Sequence, residues 1–412
     1  MKVGIVSNSD IDGGAARASY RLHQALKKYG TKSKMIVALK KSDDITVLSA
    51  SKFKQYFHYG MLSIFNGFFL KKKSSKIGYC SLNIFGSFVS KILSSLAKEN
   101  AIDVVNLHWI NKETLSIKDI SHIKKPIVMT LHDMWAFSSC EHYTQEGMYD
   151  FKMKGSNDFP SLLDKHLISQ KLKYWNKNHI TIVTPSDWLS QAAKKSLVFK
   201  GFDVFTIPNA IDTSVYKPVS KELSRIQLNL PLNKHIIGFG AIGGGEDPRK
   251  GFDLLVQSIN RLSDDVKKKS VCVVVGQSKP HDALNIDMEV IYLGRLNDDF
   301  SLRIFYDALD VMVVPSRQEN LPQTATESIS CGTPVSAFKV TGLVNAVKHK
   351  HTGYLADEFD INDLATGIEW CIENKLAEQC RAYALQHWSE EVIAQQYTAL
   401  FKDVNEKWQR ND

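Results

Sequence analysis

The stretch Val311-Met312-Val313-Val314-Pro315-Ser316-Arg317-Gln318-Glu319-Asn320-Leu321-Pro322-Gln323-Thr324-Ala325-Thr326-Glu327-Ser328-Ile329-Ser330-Cys331-Gly332-Thr333-Pro334 decides how the chain is read. The apolar run Val311–Val314 reads as a buried strand, so the polar residues after it lie at a strand's carboxyl end. Pro322 suits a first helical turn and Gly332 a left-handed stop, which predicts a helix from about Pro322 to Cys331. Amides near Gln323 and Thr324, at the start of that helix, are placed to meet an anion. Glu319 precedes the helix and Glu327 lies about two turns inside it. Carboxylates held there accept hydrogen bonds from vicinal hydroxyls, a feature that sugars and riboses share. Each also has a plainer reading, Glu319 as a helix-dipole partner and Glu327 as a solvated face residue.

Working outward, the pattern repeats on both sides. A series of alternating elements begins after Pro231: strand His235–Gly240, helix Phe252–Leu262, strands Val271–Val275 and Val290–Leu293, then helix Phe300–Leu309. Strand Pro334–Ala337 follows the deciding stretch, and the tail from Ile361 is nearly all helical. The first half behaves alike, with strands at Val3–Ser7, Lys34–Ala38, Asp103–His108, Pro126–Leu131, Ile180–Thr184 and Val204–Ile207. Ala15, Ala18, Leu22, Ala25, Leu26 and Tyr29 recur at helical spacing up to Gly30, and Ser186 is a plausible cap for a helix after Pro185. Strands separated by helices predict parallel sheets covered on both faces. Turn formers cluster from Pro208 to Pro218, which places the join there. The expected division is an α/β domain over 1–208 and another over 209–389, with a helix at about 390–412 packing back on the first. Ligands in such sheets bind outside the carboxyl ends of the strands.

Composition agrees with two soluble globular domains: 412 residues, 43% hydrophobic and 23% charged. The N-terminus Met-Lys-Val-Gly-Ile-Val-Ser-Asn lacks a signal-peptide pattern, and no apolar run reaches membrane-spanning length. A cytoplasmic protein is expected. The six cysteines are scattered without a C-x-x-C pair and read as buried small hydrophobes. The formal charge of +8 gathers in part at Lys52, Lys54, Lys71, Lys72, Lys73 and Lys76, around the aromatic run from Tyr56 to Leu70. That segment is either a contact with an anionic membrane surface or a core helix with a solvated end. No nucleic-acid partner is expected.

Other residues invite chemistry. Gly13-Gly14 opens the first helix and lets backbone approach a ligand without a Cβ, though an ordinary strand-to-helix turn looks the same. His108 and His132 stand at predicted strand ends; His108 reads best as structural, and His132 as a group that bonds a substrate hydroxyl, with Asp133 nearby. Asp10-Ile11-Asp12 fits a D-x-D metal motif but has no evident third ligand, and reads as loop polarity. Gly238-Phe239-Gly240-Ala241-Ile242-Gly243 matches the dinucleotide fingerprint literally, yet Pro248 and the charged stretch delay the next helix, so a nicotinamide site is not expected.

The deciding stretch resembles glycosyltransferase family 4, whose hallmark is two glutamates separated by seven residues and followed by a Cys-Gly-Thr-Pro-like turn. Gly13-Gly14, Thr184-Pro185-Ser186, Ile207-Pro208-Asn209-Ala210-Ile211-Asp212, Lys250-Gly251 and Gly342 with His351-Thr352-Gly353 fall in family order. Asp247-Pro248-Arg249-Lys250-Gly251-Phe252 and Gln318-Glu319-Asn320-Leu321-Pro322 look like bacterial transferases for colanic acid, O-antigen and capsule. The resemblance implies a GT-B architecture, two Rossmann-like doubly wound domains facing across a cleft. It implies a retaining transferase that moves a hexose from a UDP- or GDP-sugar to a glycan or lipid-linked oligosaccharide. That activity belongs to lipopolysaccharide or exopolysaccharide synthesis, at the inner face of the membrane. By resemblance Glu319 holds the donor sugar and Glu327 the ribose, and Asn320, Leu321 and Gln323 belong to the same site. His132 lies near the sugar. Lys250 matches the family's diphosphate-binding lysine. The arginine that usually follows the first strand of the second domain is missing, since Ala241 follows Gly240, and Arg249 is the candidate replacement. No metal or other cofactor is expected. A sugar-nucleotide epimerase of similar architecture and a non-catalytic nucleotide-sugar-binding subunit stay open as alternatives.

Overall fold

The computed structural model describes residues 1–51, 60, 80–144, 162–177, 179–240, 247–279 and 285–411. Apart from Gly60, the basic aromatic segment 52–76 lies outside the described residues, as do Ala241, Ile242 and Gly243 of the fingerprint. The chain divides into two compact units, Met1–Ala210 with Glu391–Asp412, and Ile211–Glu390.

The first unit runs β1 (Lys2–Ser9), α1 (Gly14–Lys28), β2 (Lys32–Leu39), β3 (Val47–Leu48), α2 (Val89–Lys98), β4 (Val104–Leu107), α3 (Ile117–Ser121), β5 (Ile127–Thr130), α4 (Leu162–Tyr174), β6 (Ile180–Thr184), α5 (Asp187–Lys195) and β7 (Val204–Thr206). Its seven strands lie in the order β3-β2-β1-β4-β5-β6-β7 and every pair is parallel. Central strands are buried on both faces, which is why they read as Val/Ile runs rather than as alternating patterns. Ser186 caps α5 by accepting from the Leu189 amide at 3.2 Å, as its position predicts. Leu22, Ala25 and Leu26 of α1 pack on Val3, Ile5, Met35 and Val37, whereas Tyr29 is exposed at the helix end instead of on the core stripe.

The second unit runs α6 (Lys221–Gln227), β8 (His235–Gly240), α7 (Phe252–Ile259), α8 (Asp264–Lys269), β9 (Ser270–Val275), β10 (Val290–Gly294), α9 (Asp299–Ala308), β11 (Val311–Val314), α10 (Gln323–Ser330), β12 (Val335–Phe338), α11 (Leu343–Ala346), β13 (Gly353–Ala356), α12 (Ile361–Glu373) and α13 (Ala377–Trp388). Its sheet, in the order β10-β9-β8-β11-β12-β13, is also parallel throughout. The last helix, α14 (Glu390–Asn411), sends Ile393, Tyr397 and Phe401 into the cluster formed by Val3, Ile5 and Met35 of the first unit.

This topology fixes where ligands go. Strand order reverses between β1 and β4 in one unit and between β8 and β11 in the other. A crevice opens outside the carboxyl ends at such a switch point. In the first unit those ends lead to Gly13-Gly14 and His108, and in the second to the turn before α7 and to Pro315–Glu319. Among the described residues no helix is long and apolar enough to cross a membrane.

Candidate active site

In the second unit the site is built by one close backbone approach. Gly251 has φ +69, and a Cβ on it would lie 2.0 Å from the Pro315 carbonyl oxygen. The 3-10 turn Pro248–Lys250 therefore sits directly against the exit of β11. Arg317 fastens the two: its amide donates to Arg249 O at 2.8 Å. Its guanidinium grips the Asp253 carboxylate at 2.9 and 2.6 Å and Pro248 O at 2.7 Å. Asp247 caps the turn through the Arg249 amide at 3.0 Å.

That fastening brings both cations to Glu319. Lys250 Nζ lies 2.5 Å from Glu319 Oε1, Arg249 Nη1 lies 3.5 Å from Oε2, and Ser316 Oγ donates to Oε1 at 3.1 Å. Glu319 is buried. Burial alone would raise its pKa, but the Lys250 and Arg249 charges and the hydrogen bonds outweigh it and hold the carboxyl below its ordinary range. Glu319 is thus an ionised, cation-paired carboxylate rather than a simple partner of a helix dipole. Arg249 is positioned by further bonds to Gln318 O and Asp247, both at 3.0 Å.

The helix that follows is α10, with Pro322 as its N-cap and Gln323 as its first residue. Gly332, at φ +80, ends it as the sequence predicts. Leu321 packs into the core, and Asn320 is buried against Gly342, where a Cβ would lie 1.3 Å from Asn320 O. Gly342 N donates to Glu319 O at 2.9 Å, and Glu319 N donates to Thr341 Oγ1 at 3.1 Å. Thr341 holds φ +45, a conformation β-branched residues rarely take. Glu327 is buried on α10 and accepts from the Tyr306 hydroxyl at 2.9 Å, which corrects the reading of it as a solvated face residue.

In the first unit Gly13 caps α1 at φ +96, and nothing lies within 4 Å of where a Cβ on Gly13 or Gly14 would stand. Asp10 accepts from the Ile11 and Lys41 amides at 3.0 Å and the Ser42 amide at 2.8 Å, while Asp12 pairs with Lys41 Nζ at 3.0 Å. His108 Nδ1 faces His132 Nε2 at 2.9 Å, and His108 Nε2 faces Asn106 Oδ1 at 2.8 Å. Asn106 Nδ2 donates to Val128 O and Thr130 Oγ1, both at 3.0 Å, which fixes its oxygen toward His108. The tautomers follow. His108 carries its proton on Nε2, His132 donates from Nε2, and His132 Nδ1 becomes an acceptor. Burial pushes the His132 pKa down to about 4 despite the opposing Asp133 charge, so the ring is neutral. Asp133 is committed elsewhere, to His142 Nδ1 at 2.5 Å and Trp109 Nε1 at 2.8 Å, and His108 is a partner that orients His132.

Several of these residues escaped the sequence reading. Asn106 lies on β4 two residues before His108, which follows the strand's end, and two is the period at which extended residues face the same side. Arg317, Ser316, Thr341 and Tyr306 act through contacts that only the folded chain creates.

Two doubly wound units with these groups at their switch points define a protein of the GT-B glycosyltransferase fold. The catalytic domain of starch synthase IV from Arabidopsis thaliana, a structure bound to ADP and acarbose, superposes with a TM-score of 0.66 at 15% identity, over 98% of this chain and 99% of that one. HepE from Anabaena, in complex with UDP and glucose, superposes at 0.63 and 16% identity over 98% and 99%. Residues 221–387 match the family Glycosyl transferases group 1. A D-inositol 3-phosphate glycosyltransferase from Streptosporangium roseum is 32% identical over 169 residues, which is 38% of this chain and 38% of that protein. The match thus spans about two fifths of the length of such relatives.

Proposed function

We propose that this chain is a retaining glycosyltransferase. It moves a hexose from a UDP- or GDP-sugar onto a glycan acceptor, lipid-linked and presented at the inner membrane face, in bacterial surface polysaccharide synthesis. The observation that carries the reading is the cluster at the end of β11: a buried carboxylate, Glu319, held by Lys250, Arg249 and Ser316 just before α10. A carboxylate that cannot protonate at neutral pH is suited to gripping sugar hydroxyls. Two adjacent cations are suited to neutralising a diphosphate as it leaves, without a metal ion in that step. Loss of one preorganised donor to developing charge costs about 3–4 kcal/mol in analogous oxyanion sites of other enzyme classes. The amides at a helix N-terminus contribute less, about 0.3–1 kcal/mol. The cationic side chains therefore dominate, with Arg249 in place of the family's missing arginine.

Retention in the absence of a protein nucleophile means same-face substitution. The departing diphosphate takes the acceptor hydroxyl's proton as the new glycosidic bond forms. Glu327 serves the ribose, Gly13-Gly14 the diphosphate and His132 a sugar hydroxyl, with His108 behind it.

A thermal-shift screen of UDP- and GDP-sugars, followed by transfer assays with the best donor, tests the reading. At 100 times its Kd a true donor stabilises the fold by about 2.7 kcal/mol. Incubation with donor alone separates the alternatives: an epimerase interconverts the sugar, whereas a transferase at most hydrolyses it slowly. If no nucleotide sugar shifts the melting curve, the proposal fails.

A further inference from the structure

We infer that the first unit holds a zinc site made by Cys80, Cys140 and Glu141, none of them a residue assigned to sugar transfer. The two thiol sulfurs and a carboxylate oxygen lie within 4.8 Å of one another. In a tetrahedral zinc site with Zn–S near 2.3 Å and Zn–O near 2.0–2.2 Å, ligand atoms stand roughly 3.5–4 Å apart. The three groups need only small side-chain shifts to close on an ion. Backbone pairing already sets the ligands in register: Cys80 bridges Glu141, and the Ser81 amide donates to Cys140 O at 2.9 Å.

The carboxylate is also oriented from behind. The Cys140 amide donates to Glu141 Oε2 at 3.1 Å, Ser139 Oγ lies 2.6 Å from the same oxygen and 2.7 Å from Asp164 Oδ1, sharing its one proton between the two carboxylates, and Oε1 faces the Cys140 thiol at 3.7 Å. Metal-ligating carboxylates carry such outer hydrogen bonds. Two thiolates and a carboxylate would give a zinc complex one net negative charge. Lys171 stands beside the cluster, its Nζ held by Trp135 O at 2.5 Å, Ser138 O at 2.9 Å and Ser139 O at 3.2 Å; burial lowers its pKa to about 7, and the negative charge of an occupied site would favour its protonated form. Three ligands among the described residues leave a fourth position for water or another donor. The borderline-soft S₂O donor set favours zinc over calcium or magnesium, which take oxygen alone. Linear spacing hides the site, because the two cysteines come from distant parts of the chain.

The test is metal content of the full chain, purified and then reconstituted with zinc alone. About one zinc per chain should survive desalting, and Cys80→Ser and Cys140→Ser should each lose it, while Cys272→Ser in the second unit keeps it. Ser139→Ala, which removes the hydrogen bond that orients Glu141, should weaken zinc binding about 10–100-fold. Because a buried cysteine variant can misfold, cobalt substitution of the wild type provides a second reading. A thiolate-to-cobalt charge-transfer band supports the site, and a cobalt spectrum from oxygen ligands alone refutes it. Zinc retained in the double variant Cys80→Ser/Cys140→Ser, or a metal-free wild type with Cys80 and Cys140 joined as a disulfide, overturns the inference.

Discussion

His108 Nδ1 and His132 Nε2 stand 2.9 Å apart with room for one hydrogen between them, and Asn106 decides which ring supplies it. Replacing Asn106 with Asp reverses the logic. A carboxylate there stabilises a charged His108, so the bridging proton then comes from His108, and the His132 acceptor face changes character. We expect Asn106→Asp to fold and to lower kcat about 10-fold or more, with KM for the donor little changed. Steady-state kinetics decide it; an unchanged kcat would show that the His132 tautomer has no part in turnover.

The same buried histidines give the protein an acid limit. His23 and His132 are pushed by burial to about 4, and His108 is held well below its ordinary value by burial and by the neighbouring His132. The unfolded chain, with histidines near 6.5, binds more protons than the folded one between those values, so stability falls as pH drops. The histidine contribution should be complete above about pH 6.5 and decline from there to about pH 4, by up to about 1.4 kcal/mol per pH unit for each histidine. Urea midpoints taken at successive pH values check this. Glu319 adds no loss above pH 5, because its pKa is held below the ordinary range.

Lys250 and Glu319 should separate stability from activity. Lys250→Met leaves a buried carboxylate with Arg249 as its remaining cation, 3.5 Å away. Breaking one partner of a buried ion pair costs about 3–5 kcal/mol when nothing else compensates. Arg249 and the exposure of the lysine reduce this, so a loss of about 1–2 kcal/mol is expected, with kcat down about 100-fold or more. Glu319→Gln should keep the fold within about 1 kcal/mol and abolish transfer. Wild-type turnover by that variant removes Glu319 from the chemistry.

Why part of this was legible and part was not follows from the range of the interactions. Parallel strands buried on both faces leave apolar runs in the sequence, so β8, β11 and β6 fall where the pattern puts them. Short or edge elements such as β3 leave too few residues for any pattern. Gly251 and Gly342 were visible as family-ordered glycines, but what they make room for, the carbonyls of Pro315 and Asn320, is not written nearby. The Lys250–Glu319 contact joins two loops and the Tyr306–Glu327 bond joins α9 to α10, and sequence spacing carries no trace of either.

The two glycines themselves predict a clear outcome. Gly342→Ala places a Cβ 1.3 Å from Asn320 O, and Gly251→Ala places one 2.0 Å from Pro315 O at a positive φ. Neither backbone can give way without moving Glu319 or Lys250. Each variant should lose at least about 2 kcal/mol by thermal or urea unfolding. The same change at Gly13 meets no neighbour and costs only the strain of φ +96, ψ 168, a region nearly confined to glycine, about 1–3 kcal/mol.

Thr341 poses the opposite case, a strained residue kept where glycine would relax. Its φ of +45 costs about 1–3 kcal/mol as a β-branched side chain. Against this stand the hydrogen bond its hydroxyl accepts from Glu319 N, about 0.5–1.5 kcal/mol, and the extra chain entropy of glycine, about 0.5–1 kcal/mol. The terms nearly cancel, so Thr341→Gly should leave the melting temperature within a few degrees of the wild type. Activity should not be spared, because the Glu319 backbone loses the side chain that fixes it. A fall of about 10-fold in kcat/KM at unchanged stability is expected, with Thr341→Ser restoring most of it through the same hydroxyl. Equal activity in Thr341→Gly and wild type would mean that the strain is tolerated rather than used.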